Sequence, residues 1–163
     1  QYDTIHTSWV DFADHTTGDG NLGHYMIVNG TDAGLGPTWA QDQTLAAGRY
    51  ELSAWFASLF PASPASLQFR VVDSNGSTIS PTFAAPLPPG VWAKRSFTFD
   101  IATPGTFSVQ IWDTNDAFTG NDYAIDDISL IVVPLPTAAW AGLSTLAGVA
   151  GFGLLRRRRL HVG

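Results

Sequence analysis

Thirteen of the fourteen acidic residues are aspartates, and most of them stand beside glycine, asparagine or threonine. Such segments form turns, and they also present the short oxygen ligands that a hard cation takes. Two stretches concentrate them: "ADHTTGDGN", with Asp14, Asp19 and Asn21, and "NDYAIDDISL", with Asp126 and Asp127. A second chemistry is offered by Trp55 and Trp112, each alternating with apolar neighbours, with Gln68 and Arg70 on a comparable row. An indole on a sheet face stacks against sugar rings while amides and guanidinium groups bond to hydroxyls. The competing reading is that these tryptophans pack under a loop or a neighbouring strand.

Other chemistries find little support. The chain has no cysteine, which removes disulfides, thiolate metal sites and a cysteine nucleophile. His15 and His24 lack the paired spacing of a zinc or general-base motif; His15 reads as a hydrogen-bonding loop residue and His24 as the start of a strand. Glu51 is the single glutamate, mid-strand on the row that carries Trp55, and a glycosidase would have to pair it with an aspartate. No nucleophile elbow, P-loop or dinucleotide fingerprint is present. Residues 1–133 hold four basic side chains against all fourteen acids, a net charge of −10, which repels phosphate backbones and excludes nucleic acid as a partner.

The elements that must position these residues are strands. Tyr50, Leu52, Ala54 and Phe56 alternate in "RYELSAWF", as do Phe97, Phe99 and Ile101 in "SFTFDI", and Phe107, Val109 and Ile111 in "TFSVQIW". "SLQFRVVDSNGSTISP" reads as a hairpin with Leu67, Phe69 and Val71 inward and Asn75-Gly76 supplying the positive φ angles of its turn. In the last strand the same alternation turns Ala124, Ile128 and Leu130 to the core, which sends Asp126 inward and Asp127 outward. An inward carboxylate needs a partner. "APLPPG" at 85–90 is too short for a linker and reads as a loop. Seven or eight short strands predict an all-β antiparallel sandwich, a jelly roll.

The tail has another character. Ile131 to Leu155 contains no charge, Ala138 to Leu155 is an 18-residue apolar run, and Arg156, Arg157, Arg158 and Arg159 follow it. That length is near the lower limit for a membrane-spanning helix, and the arginine cluster stays on the cytoplasmic side, leaving the body outside the inner membrane. The chain opens "QYDTIHTSWV" with no initiator methionine, so Gln1 reads as a boundary with sequence before it.

Two resemblances follow from these residues. "VPLPTAAW", the apolar span and "RRRR" together resemble the VPLP-type PEP-CTERM sorting signals of Gram-negative bacteria. That resemblance implies recognition by an exosortase at Val133, Pro134, Leu135, Pro136 and Thr137, where the usual variant carries alanine at the last position. "DFADHTTGDGNLGHYM" paired with "AIDDISL" is similar to MAM domains and related galactose-binding-like jelly rolls over most of residues 9–133, and "WAQDQTLAAGRYELSAWFAS" is similar to a strand pair of bacterial carbohydrate-binding modules. MAM domains carry disulfides, so the missing cysteines favour a bacterial relative. This likeness implies a structural Ca²⁺ bound by Asp14, Asp126 and Asp127, with Asp19 and Asn21 as further donors.

The expected organisation is a sandwich over 1–133 and a sorting tail over 134–163, with the motif at 133–137, a transmembrane helix at 138–155 and the basic stop at 156–159. The expected function is a non-catalytic, calcium-stabilised module, exported across the inner membrane to the cell surface or extracellular matrix and binding polysaccharide through Trp55, Trp112 and Arg70. A structural coat protein without a soluble ligand and a glycan-active hydrolase using Glu51 are the alternatives.

Overall fold

The structure, a computed structural model, describes residues 12–18, 23–30, 36–117 and 120–134. Its strands are β1 (Met26–Val28), β2 (Pro37–Leu45), β3 (Gly48–Ser58), β4 (Ser66–Asp73), β5 (Gly76–Ile79), β6 (Phe83–Ala84), β7 (Ala93–Ile101), β8 (Gly105–Asp113) and β9 (Tyr123–Val132). One sheet has the order β1-β9-β3-β7; the other has β2-β8-β4-β5, with β6 also beside β4, and every pairing is antiparallel. Successive strands β1 and β2, β3 and β4, and β8 and β9 fall in opposite sheets. That wrapping of one chain around two facing layers is the jelly roll the alternation predicts.

The predicted inward rows meet in the core. Leu52, Ala54, Phe56, Leu67, Phe69 and Ile111 are wholly withdrawn from solvent, with Tyr50, Phe99, Phe107 and Val109 around them. Phe56, Phe69 and Phe83 form a ring cluster with centroids 5.3–5.9 Å apart, joining the two sheets. Rings at that spacing add about 0.5–1.5 kcal/mol per pair beyond their area burial.

Two local expectations are corrected. The hairpin turn sits one residue earlier than predicted: Asp73 pairs with Gly76, leaving Ser74-Asn75 as the two-residue loop, and Asn75 does not take a positive φ. Asp73 makes this possible by accepting the Asn75 and Gly76 amides at 2.8 and 3.0 Å, an Asx turn in place of the left-handed pair.

The second correction concerns Asp126, which does not face the core. Ser53 pairs with Ser129 and Trp55 with Asp126, so one β3 residue opposes two of β9, and Asp127 takes φ 48°. This is a β-bulge, and an inserted residue resets the alternation. Tyr123 and Ile125 point into the core before the bulge, Ile128 and Leu130 after it, and Ala124 lies buried on the opposite face. Asp126 therefore shares the outer face with its partner Trp55.

Val133 and Pro134 follow β9 without regular structure. Among the described residues no helix is long and apolar enough to cross a membrane. The expected span at 138–155, the motif residues Leu135, Pro136 and Thr137, and Arg156 to Arg159 lie outside the described residues.

Candidate functional site

The outer face of the β1-β9-β3-β7 sheet carries Glu51, Ser53, Trp55 and Ala57 from β3. A sheet face open to water would expose small residues, yet Ser53 and Ala57 are buried. The cover includes the segment 12–18. Phe12 stacks on Tyr25 at 5.3 Å and meets the edge of Trp92 at 5.4 Å. Backbone carbonyls of the same segment accept from these rings: Ala13 from Trp92 Nε1 at 3.0 Å and Phe12 from the Tyr25 hydroxyl at 3.1 Å.

The same segment meets the bulge. The His15 amide donates to Asp126 Oδ2 at 3.0 Å, the His15 ring Nδ1 donates to Asp127 Oδ2 at 2.7 Å, and the Thr16 hydroxyl donates to Asp127 Oδ1 at 2.7 Å. The Thr16 and then the His15 hydrogen bonds hold the Asp127 carboxyl below the usual carboxylate range. Asp14 turns the other way and accepts from the amide of Thr17 at 2.9 Å and from its hydroxyl. Gly23 is pressed against the Asp14 carboxylate so closely that a Cβ would sit 1.9 Å from it.

The three aspartates expected to hold calcium are thus brought to one region, but each is engaged by the loop's own donors. Among the described residues no group of three His, Cys, Asp or Glu side chains is placed to hold a metal ion. Asp19 and Asn21 lie outside the described residues. His15 bonds to β9 across the sheet and not within its loop, while His24 stands exposed two residues before β1. Glu51 faces Lys94 at 3.8 Å.

Trp55 is not an open stacking surface. The imidazole of His15 lies over it at 3.6 Å, with 20° between the planes. The loop-packing alternative is the one realised here.

Trp112 belongs to the other sheet, and the structure separates it from Trp55 by the whole sandwich. Cross-strand partners share a face, so the register places Gln68 beside Trp112, Arg70 beside Gln110, and Val72 beside Ser108, with Ala40 and Asp42 continuing the rows on β2. These side chains are hydrogen-bonded along the face. Trp112 Nε1 donates to Gln110 Oε1 at 2.6 Å, Gln110 Nε2 to Ser108 Oγ at 3.1 Å, and Arg70 Nη2 to Gln68 Oε1 at 3.0 Å. The Arg70 guanidinium lies 3.8 Å above the Trp112 ring. Arg70 and Trp112, both expected on outward faces, share this one, while Trp55 does not, and the ring face turned to Arg70 is covered by a cation.

A further cleft of roughly 410 Å³ opens at one end of the sandwich, lined by Asp73, Asn75, Ser77, Thr78, Asp100 and Thr103 among others. It contains no tryptophan. Sequence reasoning missed it because its walls come from two hairpins far apart in the chain.

No family model matches the chain, and no curated protein matches it. Among solved structures it is similar to one described as "EclA C-terminal domain; sugar-binding protein", over 67% of this chain and 79% of that one, at 18% identity and TM-score 0.54. The module TmCBM61 in complex with β-1,4-galactotriose matches over 58% of this chain and 61% of its own, at 16% identity and TM-score 0.44. The CBM22-1 xylan-binding domain of Paenibacillus barcinonensis Xyn10C matches over 70% and 97%, at 14% identity and TM-score 0.42. At 18% identity the likeness to the EclA C-terminal domain is one of fold: this chain shares its architecture as an all-β antiparallel sandwich.

Proposed function

We propose that this chain is a non-catalytic carbohydrate-binding module that holds polysaccharide on the outer face of its β2-β8-β4-β5 sheet. The observation that carries the reading is the ordered row of Trp112, Gln110 and Ser108 beside Arg70 and Gln68. Polar side chains fixed to one another in advance lose little freedom when a ligand replaces water around them. The fold shared with a sugar-binding protein supports the same reading. Glu51, the residue a hydrolase would need, sits on the opposite sheet against Lys94.

The sorting and calcium parts of the proposal rest on other observations. The tail's motif, apolar run and arginine cluster support export across the inner membrane, handling by an exosortase, and display at the cell surface or in the extracellular matrix. For Ca²⁺ the support is Asp14, only 4% exposed, set between Gly23 and a turn whose sequence is rich in oxygen donors. Asp14, Asp126 and Asp127 would contribute to holding the ion, whose chemistry there is the tying of the 12–18 segment to β9.

The test is retention of the full chain in gels cast with neutral and acidic polysaccharides. Retardation by at least one polymer is expected, and loss of it in Trp112→Ala. A folded chain that no polymer retards would leave the coat-protein reading in its place.

A further inference from the structure

We infer that the ligand on this face is a polysaccharide bearing carboxylates, and that Arg70 is the residue that reads them. This inference rests on the carbohydrate reading above and adds the class of glycan to it.

A neutral sugar is held by laying its C–H face on an aromatic ring, and on the Trp112 face turned to Arg70 the guanidinium already occupies that position at 3.8 Å. What meets an arriving ligand instead is the guanidinium, whose planar fork matches a carboxylate. Gln68 anchors one arm of the fork through Nη2, fixing its orientation on the sheet.

The charge balance points the same way. Among the described residues the ion pairs are His15–Asp127 and Lys94–Glu51, and Arg70, like Arg49 and Arg95, is in neither. Arg70 is also the single Lys or Arg among the strand residues of its sheet, since Arg49 is on β3 and Lys94 and Arg95 are on β7. Its Nε is closed off from water with no acceptor, so part of the hydration of this cation has been given up without an anion in return. A partly desolvated charge acts on an incoming anion more strongly than one in bulk water.

The net charge of −10 would oppose a polyanion if it acted evenly over the surface. The acid on the outward rows of this face is Asp42, two strands across and two residues along from Arg70. Strand geometry puts that at about 12 Å between Cα atoms, beyond the screening length of about 8 Å at physiological salt. Gln110, Gln68, Ser108 and Trp112 around Arg70 carry no charge to cancel it.

The experiment compares the full chain on three polymers in affinity gels: polygalacturonate, its carboxyl-reduced galactan, and a sulfated galactan. Four proteins are run: the natural chain, Arg70→Gln, Arg70→Lys, and Arg49→Gln, which removes the same charge from the other sheet. Expected is retention on polygalacturonate that falls at least tenfold on carboxyl reduction and in Arg70→Gln, falls less in Arg70→Lys, and is unchanged in Arg49→Gln. Thermal melts establish that each variant is folded. Equal retention on the reduced galactan, with Arg70→Gln no different from the natural chain, overturns the inference and leaves the carbohydrate reading standing. So does an equal loss in Arg49→Gln, which would make the effect one of net charge. Preference for the sulfated polymer assigns Arg70 to sulfate and overturns the carboxylate. No retention on any polymer removes both readings together.

Discussion

The imidazole of His15 stacks on the indole of Trp55 at 3.6 Å while its ring nitrogen bonds to Asp127 at 2.7 Å. One loop side chain thus caps a tryptophan on β3 and ties the loop to the bulge of β9. Replacing it with alanine should cost about 1–2.5 kcal/mol, a solvent-screened hydrogen-bonded pair of up to about 1 kcal/mol and a ring contact of about 0.5–1.5 kcal/mol. Urea unfolding of His15→Ala measures this, and an unchanged midpoint would mean the loop is held by Phe12 and its neighbours alone.

Because these two tryptophans lie on different sheets, their variants should behave differently. Trp112→Ala removes the shelf beneath Arg70 and abolishes polysaccharide retention at little cost in stability. Trp55→Ala should lower the melting temperature by several degrees and leave retention intact. Gel retardation and thermal melting, run on both variants, separate the two effects.

Two carboxylates set opposing pH dependences. Asp127 has a lowered value in the folded chain, so its contribution is present above the unfolded value of about 4 and is lost as pH falls through the lower folded value. Asp113 is raised by burial, so the folded chain binds its proton more tightly and its influence weakens stability as pH rises through that raised value. Asp127→Asn should therefore flatten the acid limb of a stability profile, and Asp113→Asn the limb just above pH 4. Chemical denaturation in steps from pH 3 to pH 7 reads both slopes.

Calcium, on the reading proposed here, is structural. A chelator should lower the melting temperature by a few degrees, and added Ca²⁺ should restore it. The same experiment on Asp14→Asn should show a smaller response. A melting curve indifferent to chelator would remove the ion from the account.

The tail makes its own prediction. Pro134→Ala combined with Pro136→Ala should leave the unprocessed chain in the inner membrane of an exosortase-bearing host. Cell fractionation with immunoblotting distinguishes that from release to the surface.

Alternation made much of the fold readable from the residues. The rows Tyr50 to Phe56, Leu67 to Val71 and Phe107 to Ile111 go inward as their period of two requires, because a strand has only two faces and one of them is buried. The outward facing of Arg70 and of Trp112 was legible for the same reason, as both stand out of phase with apolar rows; that they share one sheet was not. The inward placing of Asp126 failed because one bulge residue, Asp127, shifts every later side chain by one position, and no local residue signal announces it.

The chain by itself therefore determined the sandwich, its core rows, its acidity and the three-part character of the tail, all of which depend on periodicity or composition along the chain. Only the tertiary structure decided which tryptophan is covered and which shares a face with Arg70. That depends on which strands become neighbours and on where segment 12–18 comes to rest, relations between residues as far apart as His15 and Asp127. Long-range contacts of this kind are chosen by the packing of whole sheets, and local patterning carries no record of them.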